Sequence, residues 1–232
     1  MGRAAGRYGI RARLWDKSIS DDLDLTLLKN INLLCSEAKA NKLIAVMIAI
    51  ECRSWGIARH RTNVIRSRAE PWGVSEPIKP FSDNDWEALK SGNLQARRIL
   101  KLINYIHVLG VPWAVENPVS SILWWVPGFL KLANDPKVYV KMVDQCAFGT
   151  PWRKRTRLMF GNCDYADISL CDQHVCSGRG LCSFSNKRHV ELEGKRMTAQ
   201  AQTYPPRLSQ LLAKILCSNA VYNRACSYSI NS

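Results

Sequence analysis

Two stretches of the sequence place residues that could carry out chemistry at predicted strand ends. The apolar run at residues 111–115 ends in Glu116 and Asn117, and Pro118 prevents that strand from continuing. The second stretch is basic, with Arg153, Lys154, Arg155 and Arg157. Because α/β proteins keep ligand sites at the carboxyl edge of the sheet, we expect a carboxylate that faces several guanidinium groups. A strand-end carboxylate beside a solvated basic loop is an equally weighted alternative.

The composition indicates one globular domain with an anionic partner. The chain has 232 residues, 47% of them hydrophobic, which is enough for a single α/β core. Its 33 Lys and Arg against 19 Asp and Glu give a net charge of +14, which favours nucleic acid, most simply DNA. A generic basic surface is the alternative. No apolar run is long enough for a bilayer, and no signal-type apolar core follows the first residues. We therefore expect an intracellular protein, nuclear or cytoplasmic, without membrane contact.

The cysteines suggest thiol or metal chemistry rather than disulfides. The chain has nine of them and no secretion signal, which is typical of reduced thiols, metal ligands or a nucleophile. The segment 163–189 combines two histidines with Cys163, Cys171, Cys176 and Cys182. These are enough soft ligands for a tetrahedral zinc site, but paired Cys-x-x-Cys spacing is absent. We favour a loop with incidental thiols and keep zinc as the alternative.

Apolar patterning predicts a doubly wound α/β fold with a mostly parallel sheet. Besides the strand before Glu116, strands are predicted at residues 8–15, 43–50, 138–143 and 155–160. Helices are predicted after Ser20, from Ser82 to Gly110, and at residues 204–216. Residues 61–81 are predicted as a long loop. The domain is expected to occupy residues 1–218, with the Cys/His-rich insert at 163–189 and a flexible tail at 219–232.

Three segments, in this order, resemble the cytosine-C5 DNA methyltransferases. Cys52 and Ser54 are similar to the family's loop with the nucleophilic cysteine, and Glu116-Asn117 is similar to its Glu-Asn-Val motif. Residues 148–161 are similar to its Phe-Gly-x-Pro-Gln-x-Arg-x-Arg segment. The likeness is closer to small, divergent members with Cys-x-Thr-Phe-Ser-x-Ala-Arg and Glu-Asn-Pro-x-Ser-Ser-x-Leu-Trp signatures. The resemblance implies a Rossmann-like methyltransferase fold that uses S-adenosylmethionine.

The resemblance also implies roles for individual residues. The thiolate of Cys52 would add to C6 of a flipped-out cytosine, the carboxyl of Glu116 would hold N3, and a guanidinium would hold O2. Both Arg155 and Arg157 are candidates for that guanidinium. Contacts to S-adenosylmethionine are expected from Asp16, Asp24, Asn117 and Pro118. Contacts to nucleic acid are expected from Arg59, Arg66, Arg153, Lys154, Lys187 and Arg188.

Departures from the family pattern keep other functions open. The chain begins at the family's second strand, so we expect a fold without the first strand and the Gly-rich loop that wraps the cofactor. Glu51 replaces the proline before the nucleophile, and its charge should raise the pKa of the thiol. Trp152 replaces the family's glutamine. The chain is therefore predicted to be a methyltransferase, or alternatively a catalytically inactive, basic nucleic-acid-binding remnant. A zinc-stabilised interaction protein is the third hypothesis.

Overall fold

The computed structural model describes residues 2–16, 18–57, 63–192, 197 and 200–229. Within these ranges the helices and strands are, in chain order, α1 (Gly2–Gly6), α2 (Leu28–Lys39), β1 (Val46–Ala49), α3 (Asp83–Val108), β2 (Trp113–Pro118), α4 (Pro127–Ala133), β3 (Val138–Asp144), β4 (Arg155–Gly161), α5 (Tyr165–Ser169) and α6 (Pro206–Ser229). None of the helices in these ranges is both long and apolar enough to cross a membrane.

The four strands form one open sheet in the order β1-β2-β4-β3. β1 and β2 are parallel, whereas β4 is antiparallel to both of its neighbours. The predicted α/β class is therefore confirmed, but the sheet is mostly antiparallel rather than mostly parallel. The reason lies in the connections. The long helix α3 returns the chain for a parallel pairing, whereas the short link at residues 145–154 only allows β4 to reverse beside β3.

Helices pack on both faces of the sheet. α2, α3 and α4 bury their apolar sides against one face, to which β2 and β4 contribute Val115 and Met159. α5 and α6 cover the other face, to which the same strands contribute Ala114 and Phe160. Successive strand residues therefore alternate between two cores, as the pleat requires.

The long helix α3 follows the sequence prediction at both ends. The hydroxyl of Ser82 accepts a hydrogen bond from the Asp85 N–H at 3.3 Å, and the Asp85 carboxylate accepts one from the Ser82 N–H at 3.1 Å. This reciprocal capping box satisfies backbone donors of the first turn. At the other end, Gly110 has a φ of +72°, the left-handed conformation that commonly ends a helix.

Other segments differ from the prediction. Residues 8–15 form no strand. The alternating apolar residues do not share one buried face, since Tyr8 and Leu14 are exposed whereas Ile10 packs against α1 and α6. β1 is shorter than the predicted strand, and residues 63–81 form a loop, as expected. α6 begins at Pro206, where proline suits the first turn, and continues to Ser229 through most of the predicted tail.

Candidate functional site

The parallel strands β1 and β2 bring Cys52 and Glu116 to the same edge of the sheet. Their register pairs Ala49 with Glu116, so Cys52 lies three residues beyond the paired position. The side-chain amide of Asn117 donates a 2.7 Å hydrogen bond to the carbonyl of Ile50. This bond ties the end of β2 to the chain that leaves β1. The two strand ends therefore converge, as the sequence predicted.

A tight turn fixes the backbone at Cys52. The Cys52 carbonyl accepts hydrogen bonds from the N–H groups of Trp55 and Gly56, at 3.1 and 2.9 Å. Trp55 is fully buried, and its carbonyl accepts a 2.9 Å hydrogen bond from the Ile122 N–H. The cysteine is thus held by a turn whose indole is anchored in the core.

Arg66 supports this turn from the interior. Its side chain is 1% exposed, and its guanidinium donates to the carbonyls of Ser54 (3.1 Å) and Pro71 (2.7 Å) and to Oδ1 of Asn93 (2.6 Å). The guanidinium also lies 3.6 Å from the ring centroid of Trp55. The sequence suggested that Arg66 contacts nucleic acid. Its burial instead makes it a structural brace for the turn that carries Cys52.

Glu116 is a buried carboxyl with one oxygen paired and one unpaired. It is 5% exposed, and its Oε2 accepts a 2.9 Å hydrogen bond from the hydroxyl of Tyr204. Its Oε1 is buried and has no hydrogen-bond partner among the described residues. Burial raises the pKa of Glu116, while Lys154 and the Tyr204 hydroxyl act in the opposite direction. An unpaired buried oxygen of this kind can receive a donor from a ligand.

The electrostatics of Cys52 and Glu116 are linked through Lys154. Burial raises the pKa of the Cys52 thiol, Lys154 lowers it, and the carboxylates of Glu116 and Glu51 raise it. The predicted effect of Glu51 is thus confirmed in direction. Because one ammonium acts on both the thiol and the carboxyl, the two groups lie within electrostatic range of each other.

Two of the predicted arginines are engaged elsewhere. Arg155 donates from Nε and Nη2 to the two oxygens of Asp144, at 3.0 and 2.8 Å. Arg153 lies 3.4 Å from the same carboxylate. Asp144 is fully buried, which raises its pKa, but hydrogen bonds from Arg155 and from the Cys176 N–H lower it by more. Both arginines therefore neutralise Asp144 and do not face Glu116.

Arg157 lies on the opposite face of the sheet from Glu116. It pairs with Asn117 across the antiparallel ladder, whereas Glu116 pairs with Leu158. Directly opposed residues share a face, and successive residues alternate. The Arg157 guanidinium lies 5.4 Å from the centroid of the Trp124 ring, and burial lowers its pKa. Neither Arg155 nor Arg157 is thus brought to the carboxyl that they were expected to assist.

Lys154 is the cation beside Glu116, and strand alternation could have identified it. Leu158 opposes Glu116, and counting back in steps of two through Thr156 leads to Lys154. Its ammonium donates a 2.9 Å hydrogen bond to the carbonyl of Ala201. Tyr204 lies three residues after Ala201. The sequence of this segment does not indicate a contact with β2.

The residues expected to hold a cofactor have local structural partners. Asp16 and Asp24 each accept a hydrogen bond from the backbone N–H two residues later, at 2.8 and 2.7 Å. Asn117 is fully buried, and the Pro118 carbonyl accepts a 2.9 Å hydrogen bond from the indole of Trp124. Among the residues expected to contact nucleic acid, Lys187 and Arg188 are exposed, whereas Arg59 lies outside the described residues.

A second group of chemically capable residues lies beyond the end of β3 and the start of β4, at the same edge of the sheet as the end of β2. The thiols of Cys146, Cys176 and Cys182 and a ring nitrogen of His189 all lie within 4.8 Å of one another. Two of the four predicted metal candidates, Cys163 and Cys171, lie elsewhere, in the apolar core beneath α6. Cys146 was missed because it precedes the predicted insert by 17 positions in the chain and shows no paired spacing.

The chain matches no family model, no curated protein and no solved structure.

Proposed function

We propose that this chain binds nucleic acid and holds a cytosine between Cys52 and Glu116, as a protein of the cytosine-C5 methyltransferase type. The observation that carries the proposal is the buried Oε1 of Glu116, which has no partner among the described residues and lies at the strand ends that also present the thiol. A thiol, a carboxyl and the ammonium of Lys154 within electrostatic range form a site that can activate a pyrimidine ring.

The raised pKa of Glu116 suits the chemistry of base activation. Thiolate addition at C6 moves electron density toward N3 of the pyrimidine, where a neutral carboxyl can donate a hydrogen bond. Burial raises the pKa of Glu116 and so favours the protonated carboxyl that makes such a donation, while Lys154 acts in the opposite direction. Burial raises the pKa of Cys52 overall, and Lys154 acts in the opposite direction, toward the thiolate that must attack.

The charge of the chain supports a polyanionic partner. A net charge of +14 favours binding to phosphates through release of counterions, and DNA is the partner that we propose. An enzyme of this type must also turn the base out of the duplex before the thiol can reach it. The exposed Lys187 and Arg188 are the candidates for phosphate contacts.

The residues predicted to hold S-adenosylmethionine make local contacts in the described structure. The carboxylates of Asp16 and Asp24 accept local backbone hydrogen bonds, Asn117 is fully buried, and the sequence shows no Gly-rich loop after a strand. The proposal is therefore confined to recognition and activation of the base. S-Adenosylmethionine remains the methyl donor to test first, because the resemblance implies it.

A non-catalytic nucleic-acid-binding protein is the second candidate. It is favoured by the net raised pKa of Cys52, for which burial is the largest cause. It is also favoured by the pairing of Arg155 with Asp144, which removes a guanidinium from the site. Such a protein would retain binding to DNA without activating the base.

Incubation with labelled S-adenosylmethionine and cytosine-containing DNA or RNA distinguishes the two candidates. Label in the nucleic acid that disappears in Cys52→Ala supports the enzyme. Absence of label together with salt-sensitive DNA binding supports the non-catalytic protein. Absence of both label and binding contradicts both candidates. Cys35→Ala, which changes a partly buried thiol on α2, serves as the matched control and should behave as wild type.

A further inference from the structure

The Cys/His cluster has the distances of a metal site with four protein ligands. The sulfur of Cys176 lies 4.0 Å from that of Cys182 and 3.8 Å from Nε2 of His189. A tetrahedral zinc ion with zinc–sulfur bonds of about 2.3 Å would separate its sulfur ligands by roughly 3.8 Å. Cys146 completes the group, and all four ligand atoms lie within 4.8 Å of one another. The spacing therefore matches a tetrahedron around a single ion.

The long loop that supplies three of these ligands has no regular secondary structure. Residues 175–192 contain no helix or strand. Structureless loops of this length are uncommon in compact domains. Nevertheless, Cys176 and Cys182 are 1% and 3% exposed. Among the described residues they form a buried cluster with Cys146 alone, without an aliphatic or aromatic side chain. Burial of two loop thiols against Cys146 calls for a cross-link between them.

Two tight turns of the backbone bring the ligand residues of the loop close together. A Cβ at Gly178 would lie 1.7 Å from the carbonyl of Leu181, so the turn between the two loop cysteines requires glycine. The Asn186 N–H donates a 2.9 Å hydrogen bond to the Cys182 carbonyl, and Asn186 has a φ of +54°. This second tight turn brings the chain back toward His189.

The surroundings of the cluster fix it to the sheet. The Cys176 N–H donates a 2.8 Å hydrogen bond to Oδ2 of Asp144, two residues before Cys146. Arg153 donates to the carbonyls of Cys176 and Gly178. Hydrogen bonds of this kind, one step removed from the ligands, hold metal ligands in position. The Asp144 and Arg153 contacts described above therefore serve the Cys/His cluster.

We propose that Cys146, Cys176, Cys182 and His189 form a structural zinc site that fastens the loop at residues 175–192 to the β3–β4 connection. Three thiolates and one imidazole are a donor set typical of structural zinc. With four protein ligands the coordination shell is closed, so the ion supplies folding energy and performs no chemistry. The site is independent of the chemistry proposed for Cys52.

The zinc site has a consequence for the surface beside it. An open cleft of about 740 Å³ adjoins the cluster and is lined in part by Arg153, Arg188 and His189. Because the ion would hold the loop that carries Arg188, removal of the ion should disorganise this basic surface. DNA binding should weaken when the metal is removed, even though Cys52 and Glu116 remain unchanged.

Metal analysis of the full-length chain tests the proposal. Protein purified without chelators should contain one zinc per chain by mass spectrometry, and Cys182→Ser should lose most of it. Cys171→Ser, which alters a buried thiol outside the cluster, is the control and should keep its zinc. Folded wild-type protein without metal, or equal zinc in the two variants, would overturn the proposal. A Cys176–Cys182 disulfide in the folded protein would overturn it as well.

A second measurement uses wild-type protein and so does not depend on the folding of a variant. Zinc is removed with a chelator, and limited proteolysis is followed before and after zinc is restored. Cleavage within residues 175–192 should increase on removal and return to its original rate with zinc. In cobalt-substituted protein, thiolate-to-cobalt absorption and tetrahedral ligand-field bands are expected. Unchanged cleavage, or cobalt spectra without thiolate bands, would contradict the site.

Discussion

The hydroxyl of Tyr204 donates a 2.9 Å hydrogen bond to Oε2 of Glu116 and so joins the segment before α6 to the end of β2. These residues are 88 positions apart in the chain. The bond orients the carboxyl and leaves its other oxygen, Oε1, without a partner among the described residues. The Glu116 site is thus assembled from segments that lie far apart in the chain, and several of its properties can be measured.

Tyr204→Phe should destabilise the fold by about 1–3 kcal/mol, since it leaves a buried carboxyl oxygen without its donor. The loss should be larger in alkali, where the carboxyl is ionised, than in acid, because the ionised carboxyl depends more on the hydrogen bond. Urea unfolding at several pH values measures both effects. Tyr165→Phe is the control, since Tyr165 is 54% exposed, and should change stability by less than about 0.5 kcal/mol. Equal losses in the two variants would contradict this role of Tyr204.

Glu116→Gln should alter how stability depends on pH. Burial raises the pKa of Glu116 in the folded state, so the folded protein binds a proton that the unfolded chain releases. The contribution of Glu116 is fully present below its unfolded pKa and is lost as pH rises through its folded pKa. The neutral amide should therefore stabilise the protein at high pH and give no such gain in acid. Parallel pH curves for wild type and variant would be inconsistent with a raised pKa.

Alkylation of Cys52 should report its electrostatic neighbours. Because its pKa is raised, mainly by burial, the thiol should react slowly at neutral pH and faster in alkali. Glu116→Gln removes a negative charge and should lower the pH at which the reaction accelerates. Lys154→Met removes a positive charge and should raise it. Iodoacetamide labelling with peptide mass spectrometry measures Cys52 alone, and shifts of the same sign in both variants would refute this arrangement.

Arg66→Ala should destabilise the protein by at least about 3 kcal/mol, because several buried acceptors lose a charged donor. The Cys52 turn should loosen at the same time, since Arg66 packs on Trp55. Arg68→Ala is the matched control. Its side chain is exposed and lies 5.0 Å from the centroid of the Trp125 ring, so the loss should stay below about 1 kcal/mol. Chemical denaturation compares the two variants, and similar losses would exclude the bracing role of Arg66.

The sequence predicted those parts of the fold that local signals determine. Ser82 and Gly110 mark the ends of α3, and the apolar run before Glu116 became β2. The mostly parallel sheet was a wrong prediction, because no helix lies between the strands predicted at residues 138–143 and 155–160, and so short a connection reverses the chain. The predicted strand at residues 8–15 was also absent. Alternation of apolar residues is insufficient when their side chains, such as those of Tyr8 and Leu14, remain exposed.

The candidate site was predictable where it depends on strand ends. Cys52 and Glu116 lie at the same edge of the sheet because the parallel strands β1 and β2 both end there. The arginines were misplaced because Arg155 and Arg157 share a face that Glu116 does not, and the register between β2 and β4 was needed to see this. Tyr204 could not be found from the sequence, since contacts between residues so far apart leave no local signal.

Deuterium exchange at C5 of cytosine tests the central claim most directly, because it requires base activation but no methyl donor. Addition of the Cys52 thiolate at C6 makes C5 basic. A deuteron from D₂O then bonds to C5, the original proton leaves, and expulsion of the thiolate restores the ring. The substrate is a cytosine-containing oligonucleotide in D₂O, and the readout is its mass.

We expect exchange in wild type and in Cys35→Ser, no exchange in Cys52→Ser, and a rate about 10²–10³-fold lower in Glu116→Gln. Absence of exchange in wild-type protein that binds the oligonucleotide, or exchange that persists in Cys52→Ser, would contradict the proposed role of Cys52 and Glu116.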